Sequence, residues 1–220
     1  MIPILVLNFH GIGPPPPQCL PQELPYWISE EKLAQILDLT ISRNDVWLTF
    51  DDGNASDFSI AMPALLDRDL TARFFICADR IDQPSFLSTP QIREMATHGM
   101  SFGTHGATHH SWRGLPPGTL GEEIRSSAIR IATACGNPIV EAACPFGDYD
   151  HTVMQSLRAA GMIRVFTSDG GWWNGRGWIV PRFTIRNTTP IQDIARLLAS
   201  PNNLIRSTSQ KLRHLAKLLR

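Results

Sequence analysis

Short apolar runs recur along this chain, separated by segments with helical patterning, and this alternation constrains the fold more than any other feature. Ile2–Leu7, Val46–Phe50, Ala72–Cys77, Met100–Thr104, Ile139–Ala143, Arg164–Thr167 and Trp178–Pro181 read as strands. They lack the clean apolar–polar alternation of a half-exposed strand, so they read as buried on both faces. Ser29–Leu39, Ile60–Asp67, Pro90–His98, Leu120–Ala134, His151–Ala160, Ile191–Ala199 and Gln210–Leu219 read as helices. Thr89-Pro90 offers an N-cap with proline at the first helical position, and Thr119 with Glu122 forms a capping-box pair. Gly99, Gly136 and Gly161 stand where helices should stop. Repeated strand–helix units with buried strands predict an α/β architecture with parallel strands. Pattern alone leaves a closed barrel and an open sheet both in play.

With 220 residues, one core is the better expectation than two. Hydrophobic residues make up 43% and charged residues 18%, the balance of a soluble globular chain. Lys+Arg and Asp+Glu both number 20, so no overall field draws in nucleic acid. No segment reaches the roughly 20 apolar residues of a membrane helix. The N-terminus carries neither a basic region nor a small-residue cleavage site, so it reads as a core strand, and a cytoplasmic location is expected. Cys19, Cys77, Cys135 and Cys144 form no C-x-x-C pair and are expected to be buried free thiols.

Two stretches interrupt the pattern. Residues 11–25 hold six prolines and form a stiff loop after the first strand, either plain surface or a wall of a substrate groove. Residues 201–220 read as a basic amphipathic helix packed on or appended to the 1–200 domain. Leu212, Leu215, Ala216 and Leu219 share its apolar face. Docking on its own domain is the first expectation, and peripheral contact with an anionic membrane the second.

The chemistry sits in two fragments. Leu48-Thr49-Phe50-Asp51-Asp52-Gly53 puts two carboxylates at the C-terminal end of a strand, where α/β folds build their sites. Adjacent strand residues point to opposite sides, but a turn beginning at Gly53 can bring both toward one pocket. Gly103-Thr104-His105-Gly106-Ala107-Thr108-His109 follows another strand and offers two histidines four residues apart, which face one way on a helical turn. His110 points elsewhere. Together the fragments supply three metal ligands and a spare carboxylate, the kit for metal-assisted hydrolysis. A two-histidine, one-carboxylate set suits Zn2+, and Co2+, Ni2+ or Fe2+ are chemically acceptable.

At these residues the chain resembles the polysaccharide deacetylases of carbohydrate esterase family 4, the chitooligosaccharide-deacetylase homology domain. Thr49-Phe50-Asp51-Asp52-Gly53 matches the first motif, T-F-D-D-G. His105 and His109 match the second, H-[ST]-x-x-H, with Gly106 in place of Ser or Thr. Pro145-Phe146-Gly147 matches the core of the third, R-x-P-x-G. The resemblance covers roughly Ile2 to Ile185. It implies a distorted (β/α) barrel of seven or eight parallel strands in a single domain. It also implies a metal-dependent hydrolase that removes an N-acetyl or other N-acyl group from an amino sugar in a glycan, glycolipid or saccharide precursor. Asp51 would be the general base, Asp52, His105 and His109 would hold the metal, and the backbone N–H of Phe146 would stabilise the oxyanion.

The departures are specific. The third motif's arginine falls at Ala143, and Arg182, after a late strand, is the candidate replacement. The late Leu-x-His motif that supplies the acid is missing. Asn8-Phe9-His10-Gly11 resembles the N-terminal segment of the exopolysaccharide deacetylase branch, which makes His10 the candidate acid. Asp169 could orient a catalytic histidine, and the nearby Trp172 and Trp173 either stack on sugar or close the barrel end. Rival readings are a deformylase or cyclic-amide hydrolase of the same fold, a catalytically silent carbohydrate-binding domain, and a purely structural zinc site.

Overall fold

The computed structural model describes residues 2–199 and Lys217. Seven parallel segments wrap around a common interior. They are β1 (Ile4–Phe9), β2 (Val46–Asp52), β3 (Arg73–Ile76), β4 (Ser101–Thr104), β5 (Glu141–Ala143), β6 (Arg164–Thr167) and a last segment made of β8 (Ile179–Pro181) and β9 (Phe183–Thr184). A short β7 (Trp172–Trp173) runs antiparallel to the start of β1, pairing Ile4 with Trp173 and Leu5 with Trp172. The order around the sheet is β7-β1-β2-β3-β4-β5-β6-β8, with β9 returning to β1. Closure therefore takes place within one stretch of chain. β8 pairs with β6 through Thr167 and Pro181, and two residues later β9 pairs with β1 through Leu7 and Phe183. Arg182 sits at the handover.

The helices are α1 (Glu30–Asp38), α2 (Met62–Leu66, entered through a π-helical turn at Asp57–Ala61), α3 (Thr89–Thr97), α4 (Pro117–Cys135), α5 (His151–Ala159) and α6 (Ile191–Ala199). Two sequence signals act differently from expectation. Ser88, not Thr89, caps α3, closing a capping box with Gln91. Helix α4 begins at Pro117, ahead of Thr119 and Glu122, so that pair lies inside the helix, which Gly136 ends in a left-handed conformation (φ 78°). The helix expected over 210–219 lies outside the described residues, apart from Lys217.

Strand alternation sorts the core into two shells. From β2, Leu48 and Phe50 face outward onto α1 and α2, packing with Leu33, Ile36, Leu37 and Leu65. The opposite faces fill the interior. Val6, Phe75, Ala143, Phe166 and Val180 form its apolar middle, with Trp47 and Trp173 beneath. The lower end is closed by Arg73, which stacks on Trp47 at 4.0 Å, and by Glu141, paired with Arg73 at 3.1 Å and Arg164 at 2.9 Å. Trp173 is thus part of the barrel's floor, and β7 belongs to that end. For Trp173 this is the barrel-closing alternative of the two the sequence offered, and Trp172 packs partly buried against the outer core. No helix among the described residues is long and apolar enough to cross a membrane.

Candidate metal and hydrolytic site

Above the apolar middle, the interior turns polar. Asn8, Thr49, Asp51 and Arg182 share one buried layer at the C-terminal ends of β1, β2 and β8. Arg182 is only 1% exposed and forks onto Asp51, with Nη1 donating to Oδ1 at 2.7 Å and Nη2 to Oδ2 at 2.8 Å. Asn8 Nδ2 donates to Oδ2 at 2.9 Å, and Arg182 Nη1 also donates to Asn8 Oδ1 at 2.8 Å. Thr49 Oγ1 donates to Asn8 Oδ1 at 2.8 Å, which fixes the amide's orientation. Burial alone would push the Asp51 carboxyl up. The charges of Arg182, His105 and His10 and the hydrogen bonds of Arg182 outweigh that and hold it below the usual carboxylate range. This planar, bidentate pairing is one that lysine could not reproduce. Arg182, the candidate replacement for the arginine that the third motif lacks at Ala143, is thus paired with Asp51.

The turn that aims the second carboxylate starts one residue earlier than the sequence suggested. Asp52 itself is left-handed (φ 82°) and Gly53 follows (φ 74°), so adjacent carboxylates both reach the cavity. The histidine segment is an irregular loop, not a helical turn. Gly106 (φ 85°) and His109 (φ 59°) fold it back, and the two rings lie 5.2 Å apart. Gly106 is not an idle substitution in the motif. A Cβ there would meet Glu123 Oε2 and Trp112 Nε1 at 3.0 Å, in a backbone conformation that disfavours side chains. Glu123, from α4, holds the same loop by accepting from Ala107 N at 2.8 Å, Thr108 N at 3.3 Å and Thr108 Oγ1 at 2.7 Å.

Asp52, His105 and His109 present one ligand atom each within 4.8 Å of one another. Asp52 Oδ1 lies 3.1 Å from His109 Nε2 and 3.8 Å from His105 Nε2, is buried, and accepts no well-formed hydrogen bond. His105 Nδ1 is 2.8 Å from the Ala143 carbonyl, a partner that can only accept. That bond puts the ring proton on Nδ1 and leaves the Nε2 lone pair facing Asp52. Burial pulls the His105 pKa down to about 4, so the ring is neutral at neutral pH. Burial raises Asp52, but the His109 contact and the charges of His10 and His105 bring it well below the usual range. A neutral imidazole with a free lone pair beside an unsatisfied carboxylate fits a divalent cation. Arg80 borders the set, with Nη2 3.1 Å from His109 Nδ1 and Nη1 3.4 Å from Asp52 Oδ1.

All seven sequence candidates line one cavity of about 590 Å³. His10 follows β1, with Nε2 4.0 Å from Asp51 Oδ2 and its ring on Tyr26 at 4.9 Å. Phe146 sits on the turn after β5 with a left-handed backbone (φ 58°), its exposed ring 4.7 Å from that of His109. His110 is exposed and bonded to Thr108 Oγ1. Cys144 is buried, and burial pushes its thiol up to about 12. Cys19 is only half-buried and faces the cavity, which corrects its expected burial.

Across residues 39–165 the chain matches the family model described as polysaccharide deacetylase. The chain belongs to that family.

Within the polysaccharide deacetylases, it is 26% identical over 142 residues to YxkH of Bacillus subtilis (strain 168), which is named as a polysaccharide deacetylase. The match takes in 64% of this chain and 51% of YxkH, so the chain spans about half the length of that relative. Solved structures share the fold. A polysaccharide deacetylase from Bacillus cereus superposes with a TM-score of 0.79 at 21% identity, over 89% of this chain and 69% of the other. Streptococcus pyogenes deacetylase PplD, solved with acetate, gives 0.77 at 20% identity, over 90% and 98%. The nearly closed (β/α) barrel expected from the motifs is the fold these structures share.

Residues invisible to motif reading complete the site. Asn8 was quoted only as a neighbour of His10, yet it bonds both Asp51 and Arg182. Glu123 and Arg80 carry no motif signal, because only the folded chain brings α4 and the loop after β3 to the histidines. Asp169, which could orient a catalytic histidine, accepts from Tyr149 OH at 2.5 Å and from Lys217 Nζ at 2.6 Å.

Proposed function

We propose that this deacetylase-family chain is a metal-dependent hydrolase that removes an N-acetyl or other N-acyl group from an amino sugar. The observation that carries this is the pairing of a free ligand set with a separate, clamped carboxylate. Asp52, His105 and His109 would hold the ion, Zn2+ being the first expectation for this donor set, while Asp51 beside them is held by Arg182 and Asn8. A bound ion supplies Lewis acidity toward the amide oxygen and acidity toward water. The chain's own groups do the rest. Asp51 has about four lone-pair sites, and the bonds from Arg182 and Asn8 occupy three. The remaining one takes the proton of the attacking water. The Phe146 N–H donates to the oxyanion as it forms. His10, reaching the same carboxylate from the β1 side, gives a proton to the departing nitrogen, because an amide anion leaves too poorly without one. The products are a carboxylic acid and a free amino sugar.

Acid release from a panel of N-acylated sugars and sugar lipids, with defined metals added to chelator-treated protein, tests this reading. Metal-dependent release is expected, with Asp51→Asn and Asp52→Ala each lowering kcat/KM by about 10³-fold or more. Undiminished release by Asp52→Ala would remove the ligand assignment. Release of formate rather than acetate would redirect the acyl group to formyl.

A further inference from the structure

The loop between β1 and α1 is not a passive surface. Its two ends are zipped together, with Gly13 N donating to Ile28 O at 2.8 Å and Ile28 N to Gly11 O at 3.1 Å. Ile12 and Ile28 are buried at this seam, and the Trp27 ring packs so closely on Gly11 that a Cβ there would fall 2.1 Å from it. From the seam the loop reaches over the cavity, contributing Pro16, Gln18, Cys19, Glu23 and Tyr26 to its lining. It is then tied down on both flanks. Toward the loop after β3, Gln18 Nε2 donates to Ser85 Oγ at 2.5 Å and Glu23 Oε1 lies 3.7 Å from Arg80 Nη2. Toward the segment after β9, Pro25 O accepts from Asn187 N at 2.8 Å and Tyr26 OH accepts from Arg186 Nη2 at 3.1 Å. Six prolines between residues 14 and 25 stiffen the span.

A strap fastened at both flanks covers the arc of the rim above β9, β1, β2 and β3. A saccharide entering this cavity meets the strap on that side, which limits extension of its chain there. An internal residue of a long polymer needs chain to leave in two directions. The cavity volume of about 590 Å³ is that of a small-ligand pocket. The lining matches one sugar ring and its substituents, with Tyr26, Phe86 and Phe146 for apolar faces and Gln18 and Glu23 for hydroxyls. We propose that the 11–28 strap makes the site end-selective, accepting a single N-acylated amino sugar or the terminal residue of a short saccharide and rejecting internal residues of a polymer. This rests on the hydrolase reading above.

The test uses the metal-loaded full chain and N-acetylglucosamine oligomers of one to six residues, with the deacetylated position located by mass spectrometry. End selectivity predicts modification at one terminus only, and a kcat/KM that stops rising after about two residues. Ser85→Ala/Arg186→Ala, which removes a strap tether on each flank, should raise internal deacetylation relative to terminal by about tenfold. Wild-type modification of internal residues, with kcat/KM climbing along the series, overturns the end selectivity and leaves the hydrolase reading standing. So does an unchanged terminal preference in the untethered variant when its fold and terminal activity are intact. No acid release from any oligomer overturns the hydrolase reading and this inference with it.

Discussion

Arg182 and Asp51 are each intelligible only through the other. Two opposite charges with exposures of 1% and 2% lie in a layer where water cannot solvate either. Removing one partner from such a pair costs about 3–5 kcal/mol, because the survivor is left charged and buried. Arg182→Ala should therefore lower the Tm by several degrees, read by thermal unfolding. It should also shift the acid limb of kcat/KM upward, since Asp51 loses the cation that holds its pKa down. Arg182→Lys should restore part of the pH shift but not the two-point grip. Asp57 is a second buried carboxyl, with neither oxygen hydrogen-bonded. Burial, then the charges of Asp52 and Asp51, push it well above the usual range. A carboxyl with a raised native pKa stabilises the fold below its unfolded pKa and loses that contribution as pH rises toward the native value. Denaturant titration from about pH 5 to about pH 8 should therefore show the wild type falling relative to Asp57→Asn.

At the scale of elements, the loop carrying both histidines depends on a helix it does not belong to. Glu123 on α4 takes three hydrogen bonds from Ala107 and Thr108 and so sets where His109 stands. Glu123→Ala should weaken metal binding about 10- to 100-fold, measured by competition with a chromogenic chelator, while Asp51 keeps its partners. Gly103, on β4, faces the interior where a Cβ would come within 2.4 Å of the Phe75 ring and 2.8 Å of the Glu141 carbonyl. Gly103→Ala should cost about 1–3 kcal/mol through overpacking, read from the denaturation midpoint. The elements themselves were largely visible in the sequence, since buried strands and capped helices announce their periods. What stayed hidden had no period to show. β7 and β9 are two residues each, and the π-helical turn at Asp57–Ala61 looks like ordinary helix in an apolar pattern. The acidic pair and the histidines were legible because a candidate metal set calls for particular residue types at close spacing. Asn8 and Glu123 were not, because their roles come from positions 43 and 15–16 residues away from the groups they hold.

For the whole molecule, the candidate metal set is drawn from the end of β2 and the loop after β4 and so links separate parts of the barrel. A cation bound there and absent from the unfolded chain stabilises the fold by mass action, about 2.7 kcal/mol at 100 times Kd. Saturating Zn2+ should raise the Tm, and chelation should lower it and abolish acid release together. Proton release on metal addition, followed in weak buffer, should grow as pH falls toward about 4, where His105 takes up its proton, because a ligating histidine must be neutral. The barrel followed from strand–helix alternation once the motifs pointed to the family. The strap over the cavity did not, because proline content reports stiffness and says nothing of where a loop is tied.

The handover at Arg182 has a consequence for how the molecule comes into being. Asn8 belongs to the first strand, Asp51 to the second, and the residue that joins them lies 174 and 131 positions further along. A chain emerging from the ribosome carries its acidic pair for most of its synthesis without the guanidinium that balances it. Burying that pair early would be electrostatically costly, so the upper layer of the barrel must stay open to water until the last strand arrives. The same residue then closes the sheet and balances Asp51, so the buried ion pair exists only in a finished barrel.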